Sequence, residues 1–220
     1  MTDKMRAKVE KVMKNLERNK MKPYFCENRE EAQALVKTLI KKGETISCGG
    51  SKTLDETGIY QIINSPYNNF LARSAPGMTR PEVEEVYRQT FRADTFFMST
   101  NALTENGELY NVDGNSNRVA ALLYGPKSVI VVCGINKIVK NIDEAIKRVK
   151  TIAAPQNTIR LGIETPCGKT GECVSLRKEN PELCDGCHGD TRICCNYVVS
   201  AQQRHIDRIK VIIIGEEYGY

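Results

Sequence analysis

Two apolar runs constrain this chain more than any other feature. "SVIVVCG" at residues 128–134 and "IKVIIIG" at 209–215 contain almost no polar positions. A strand with one wet face alternates polar and apolar residues, whereas a strand covered on both faces reads as a continuous apolar stretch. Both runs therefore call for layers of structure above and below them. The rest of the chain supplies candidates. Met5, Val9, Val12, Met13 and Leu16 fall at helical spacing, which predicts a helix over residues 3–19. Asn28 is placed to cap a second helix with Ala32, Leu35, Val36, Leu39 and Ile40 on its inner face. Thr45–Cys48 reads as a strand, Leu54–Ile63 as a helix, and "TRPEVEEVYRQTF" (79–91) as a helix opened by a Thr79/Glu82 capping box with Pro81 in its first turn. "ADTFFMS" is a further strand, and Asn106-Gly107 between short extended runs signals a hairpin. "NIDEAIKRVKTI" returns from the 128–134 strand as a helix with Asn141 and Glu144 spaced to cap reciprocally.

Strand and helix in this alternation predict an α/β fold with a mostly parallel sheet and helices on both faces. The expected organisation is one domain over residues 1–220, with an irregular cysteine-rich segment at 164–196 inside it. No apolar run approaches the ~20 residues that span a bilayer, and "MTDKMRAKVEKV" lacks the apolar centre of a signal peptide, so no membrane insertion and a cytoplasmic location are expected. The net charge of +5 is scattered and no nucleic-acid module is visible, which argues against a nucleic-acid partner.

Ligands of such sheets bind beyond the C-terminal ends of the strands. Loops 49–53, 100–107, 113–118 and 134–137 would gather there. Gly49, Gly50, Ser51, Lys52 and Thr53 offer amides, hydroxyls and an ammonium at a helix start, suited to a phosphate or carboxylate. The same stretch also reads as a strand-to-helix joint in which Thr53 and Glu56 form a capping box. Glu56 and Glu105 are the candidate acid–base carboxylates near this edge, although Glu105 also fits a solvated hairpin. Asp113, Gly114, Asn117 and Arg118 crowd another helix start. A cation is unfavourable at that terminus, a mismatch that an anionic ligand would repair. Together with Asn101, these residues define an expected site for a small anionic metabolite. No P-loop, no nucleophile elbow and no G-x-G-x-x-G is present.

Six of the nine cysteines fall within residues 167–195, spaced C-x5-C-x10-C-x2-C-x6-C-C. Clustering in a chain expected to be cytosolic points to metal or redox work. The C-x2-C pair Cys184/Cys187 is a chelating corner. Four thiolates could hold zinc or a [4Fe–4S] cluster, while a redox dithiol and free thiols remain alternatives. Cys48 and Cys133, at strand ends, read as small buried hydrophobes.

"GGSKTLDETG", the long stretch from "ADTFFMSTNALTENGELYNVDGNSNRVAALLYG" to "NIDEAIKRV", "TPCGKTGEC" and "DTRICCNYVV" together resemble the LUD domain family. This is the lactate utilisation protein C or YkgG-like family, formerly a domain of unknown function. The resemblance runs over nearly the whole chain. It implies a NagB/RpiA/CoA-transferase-like, Rossmann-like fold and a role in oxidising L-lactate to pyruvate beside iron–sulfur and flavin-type oxidoreductase partners. It leaves open whether the chain is itself catalytic, serves as an assembly or electron-transfer partner, or acts as a transferase or ligase on a CoA, folate or phosphorylated metabolite. A homodimer is equally open. Carried onto this chain, the family's motifs nominate Gly49 to Thr53, Glu56, Asn101 to Glu105 and Asn111 to Arg118. Its TPC-x5-C-x2-C-x6-C cysteine pattern lands on Cys167, Cys173, Cys187 and Cys194. About eleven extra residues separate Cys173 from the last pair and bring in Cys184, so Cys173 and Cys184 compete for one ligand position.

Overall fold

The computed structural model describes residues 1–220. Its main sheet has six parallel strands in the order β1-β10-β7-β4-β2-β3. These are β1 (Lys22–Cys26), β2 (Thr45–Cys48), β3 (Asn69–Phe70), β4 (Thr95–Met98), β7 (Ser128–Gly134) and β10 (Ile209–Ile214). The two apolar runs of the sequence are β7 and β10, neighbours at the centre. Their side chains divide between two cores, which explains the missing alternation. Val129, Val131, Ile209, Val211 and Ile213 pack with Val9, Val12 and Leu16 of α1 (Asp3–Arg18) and with Ala121 and Leu122 of α6 (Asn117–Leu123). Ile130, Val132, Ile212 and Ile214 pack on the other face against α2 (Arg29–Leu39), α3 (Lys52–Glu56) and α4 (Ile59–Ile63). Another helix, α5 (Arg80–Thr90), follows the Thr79 capping box as the sequence predicts, and Asn28 caps α2.

A second sheet was not foreseen. Its order is β8-β5-β6-β9, built from β5 (Ala102–Thr104), β6 (Leu109–Asp113), β8 (Ile138–Val139) and β9 (Asn196–Ser200). The Asn106-Gly107 hairpin joins β5 to β6, and Gly107 takes the positive φ that such a turn requires. One face of this sheet gives Leu103, Leu109 and Ile138 to the α1 core. The other gives Tyr110, Val112 and Val139 to a third core with Ala145 and Val149. That core is closed by α7 (Ile142–Arg148), a π-helical turn at Val149–Ala153 and α8 (Ala154–Leu161), and the cysteine segment lies beyond it with α9 (Pro166–Thr170) as its one α-helix.

Three expectations need correction. The helix expected over 54–63 is two short helices, because Gly58 adopts a left-handed conformation between them. The Thr53/Glu56 capping box does not form: the Ser51 hydroxyl accepts from the Leu54 amide, so α3 starts one position past Ser51 and Thr53 lies inside it. Asn141 accepts from the Glu144 amide, but the Glu144 carboxylate takes the Lys140 amide instead of closing the reciprocal cap. Four strands have no counterpart in the sequence reading, β1, β3, β8 and β9, and all four are sheet edges, β3 and β8 being only two residues long. β1 carries Pro23 and β9 is half-exposed, and each pairs on one side only, where an apolar pattern is weakest.

Candidate functional site

Beyond the C-terminal ends of β2 and β4 lies a cavity of about 360 Å³. All four loops expected to converge reach it. The β2–α3 loop contributes Gly50, Ser51 and Lys52, the segment after β4 contributes Ser99 to Asn101, and the turn into α6 contributes Asp113 to Asn115 with Asn117 and Arg118. Lys137 follows β7. Arg73, Asn157, Arg160 and the terminal Tyr220 complete the polar wall, and Val149, Ala153, Ala154 and Ile193 supply an apolar one. Five cationic side chains face one carboxylate here, namely Lys52, Arg73, Arg118, Lys137 and Arg160 against Asp113.

The cations divide by what they already hold. Arg118 is fully engaged within the protein. Its Nε donates to Asp113 Oδ2 at 3.0 Å, Nη1 to Asn111 Oδ1 and the Ser99 carbonyl, and Nη2 to Asn101 Oδ1 and the Val112 carbonyl. A guanidinium has five N–H groups, and all five are used. Asp113 in turn accepts from the Ser116 amide through Oδ1. The charge mismatch at the start of α6 is thus resolved by Asp113, and Arg118, Asp113 and Asn101 form an internal strut along the cavity floor. Gly49 belongs to the same strut: a side chain there would meet the Arg118 methylenes at 3.0 Å.

Arg73 and Arg160 are different. Arg73 donates to the Tyr87 hydroxyl at 3.5 Å, and Arg160 to Asn157 and the Tyr220 hydroxyl; neither forms an ion pair, although Asp55 lies near both. Gly50 leaves room for both, since a Cβ there would stand 2.6 Å from Arg73 Nη2 and 3.8 Å from Arg160 Nη2. Lys137 is buried, with its ammonium donating to Thr53 Oγ1 at 2.9 Å and Ser99 Oγ at 3.0 Å. Burial first, and then the Arg148 guanidinium, pull this lysine down to about 7. Its protonation therefore changes near neutral pH.

The candidate carboxylates lie outside the cavity lining. Glu56 is exposed, 3.7 Å from Lys52, and accepts the Gly219 amide at 2.6 Å, so it ties down the C-terminal tail. Glu105 sits at the hairpin and pairs with Lys11 at 2.8 Å and Lys8 at 3.6 Å of α1. The Lys11 ammonium, as hydrogen-bond donor to it, holds Glu105 below the usual carboxylate range. Arg73 and Arg160 had no sequence signal, because no motif surrounds them and they meet only through the fold, while Lys137 lies in the 134–137 loop expected at the site but was not singled out within it.

The thiols separate in the same way. Cys48 and Cys133 are buried as expected, and burial pushes the Cys133 thiol up to about 12. A second, small cavity of about 30 Å³ under the cysteine segment is lined by Cys167, Cys173, Cys187 and Cys194. Cys184 and Cys195 are exposed and line neither cavity. No group of three or more His, Cys, Asp or Glu side chains is arranged around a single metal-ion position.

The LUD domain model matches residues 9–214 of this chain. The chain belongs to the LUD domain family. Among solved structures it is similar to a DUF162 family protein from Deinococcus radiodurans, at 14% identity and a TM-score of 0.50, covering 96% of this chain and 98% of that one. At that identity the likeness speaks for the α/β fold alone. A weaker similarity, TM-score 0.36 at 13% identity, links 60% of this chain to 47% of eIF2B beta from Chaetomium thermophilum. No curated protein matches. The LUD family is associated in general with lactate utilisation. No helix of this LUD protein is long and apolar enough to cross a membrane.

Proposed function

We propose that this LUD protein binds a small carboxylate metabolite, a 2-hydroxy acid or its 2-oxo counterpart, in the 360 Å³ cavity. In this reading it serves the oxidation of L-lactate or a related acid as a subunit or accessory factor beside a separate oxidoreductase. The observation that carries the reading is the pair Arg73 and Arg160, two guanidiniums that form no ion pair although Asp55 lies near both, set around the Cβ-free space at Gly50. Guanidinium and carboxylate match as planar, bidentate partners. Lys137 lies on the same wall with Ser99, and at neutral pH it can hold or release a proton at Nζ. It is therefore the group suited to exchange a proton with a substrate hydroxyl or carbonyl oxygen, whereas Glu56 and Glu105 are not among the residues lining the cavity.

A second reading rests on the number of cations. Four besides the engaged Arg118 exceed what one carboxylate needs, which favours a phosphate-bearing ligand such as a CoA ester or nucleotide. Calorimetric titration with L-lactate, pyruvate, inorganic phosphate, CoA, a folate and nucleotides separates the two. Binding of lactate or pyruvate without phosphate competition supports the first reading. Displacement of pyruvate by millimolar phosphate supports the second, and binding of none of these anions contradicts both.

A further inference from the structure

The small cavity beneath the cysteine segment has features that packing alone does not require. Its four thiols arrive from three separate stretches: Cys167 from the first turn of α9, Cys173 from the turn after it, and Cys187 and Cys194 from the loop before β9. Arg192 fixes that loop from within. Its Nε donates to the Cys194 carbonyl at 2.7 Å, Nη1 to the Cys187 carbonyl at 2.8 Å, and Nη2 to the Cys184 carbonyl at 2.8 Å and the Tyr197 hydroxyl at 3.0 Å. One guanidinium thus takes up three cysteine carbonyls. Two sulfurs also have hydroxyl neighbours, Ser175 Oγ donating to Cys173 Sγ at 3.4 Å and Thr165 Oγ1 lying 3.2 Å from Cys167 Sγ.

An independent observation comes from the second sheet. Tyr110 is 1% exposed, lines the same cavity, and its hydroxyl has no hydrogen-bond partner. Buried hydroxyls are almost always paired, and leaving one unpaired is destabilising. The Tyr110 hydroxyl lies near Cys194, one of the four thiols, and an acceptor in the cavity would satisfy it.

We propose that Cys167, Cys173, Cys187 and Cys194 ligate an iron–sulfur cluster, to which the Tyr110 hydroxyl donates a hydrogen bond. The choice between ions follows from the arrangement. Zinc needs four sulfurs within about 2.3 Å of one point, and no three ligand-type side chains converge on such a point. A cluster brings its own sulfides and joins thiolates that face one another across a cavity. Ile146, Val149, Ala154 and Val174 keep the walls apolar. Cys173 is the second ligand and Cys184, exposed and off the cavity, is not. Val149, Ala154, Ile193 and Cys194 line both this cavity and the cation-rich one, so the cluster would share a wall with the ligand site. The inference stands whichever anion occupies that site.

The test uses the full chain, purified anaerobically and reconstituted with ferrous iron and sulfide. Iron and acid-labile sulfide in stoichiometric amounts, with broad visible charge-transfer absorption, are expected. Cys184→Ser and Cys195→Ser should keep the full iron content, while Cys173→Ser should lose most of it with circular dichroism unchanged. Should Cys173→Ser fail to fold, the two exposed-thiol variants still decide the ligand set. Tyr110→Phe should keep the cluster and shift its reduction potential downward, because a hydrogen bond to sulfur stabilises the more negative, reduced state. Stoichiometric zinc without iron, no retained metal at all, or loss of iron in Cys184→Ser would each overturn the proposal, and an unshifted potential in Tyr110→Phe would remove Tyr110 from it.

Discussion

The two cavities meet at a shared wall and are built on opposite principles. The cation-rich one is assembled by the main sheet from loops far apart in sequence, and its polar groups are divided between strut and free surface. The thiol cavity is assembled by one segment of 29 residues laid against the second sheet, with a single arginine as its organiser. In the first, a conspicuous motif is architecture, since Asp113 and Arg118 satisfy each other. In the second, four of the six clustered thiols line one cavity, while Cys184 of the conspicuous C-x2-C pair lies off it. Proximity in sequence explains the contrast. Thiols clustered in one short segment announce themselves in sequence, whereas Arg73, Lys137 and Arg160 come together only after the chain has folded.

The comparison can be broken most sharply at Arg118. If it is a strut, Arg118→Ala leaves Asp113, with its side chain only 10% exposed, as a nearly buried unpaired carboxylate. The expected loss is about 3–5 kcal/mol in urea unfolding. A loss below about 1 kcal/mol, with anion affinity abolished, would make Arg118 a ligand-binding residue after all.

Lys137 sets the next largest effect. Its folded value of about 7 lies below the ordinary 10.5, so the unfolded chain binds this proton more tightly. The burial penalty is therefore full below pH 7 and fades as pH rises from 7 toward 10.5. Lys137→Met should stabilise the protein by about 1–4 kcal/mol at pH 6, and by clearly less at pH 9. Equal gains at both values would show that the lysine does not titrate as the structure implies. Since the anion-holding form is the protonated one, ligand affinity in the wild type should also fall as pH rises through 7.

Arg160→Ala should weaken binding of pyruvate about 10- to 100-fold, the worth of a charge-assisted hydrogen bond, while thermal unfolding stays within about 0.5 kcal/mol of wild type. The smallest effect is expected at Cys184→Ser, an exposed thiol whose change should leave stability within the same margin.

The parallel sheet was legible because its central strands are buried on both faces and show it, and α2 and α5 because their caps are local. The edge strands and the second sheet were not, since Pro23 and the half-exposed Asn196–Ser200 stretch obscure a signal that only pairing partners supply. At the site, sequence could nominate Gly50, Ser51 and Lys52, which do line the cavity. It could not foresee that the Thr53 hydroxyl is taken by Lys137 and the Tyr218 carbonyl, leaving Ser51 to cap α3, or that Glu56 is turned to the Gly219 amide, because these partners arrive only through the fold.

The central claim, that free guanidiniums rather than the Arg118 motif receive the ligand, is tested most directly by a crystal structure of the pyruvate complex. The account predicts the carboxylate within hydrogen-bond distance of Arg73 and Arg160, beside Gly50, with the Arg118–Asp113 pair still at about its present 3.0 Å. Pyruvate outside this cavity, or seated on Arg118 with Asp113 displaced, would contradict it.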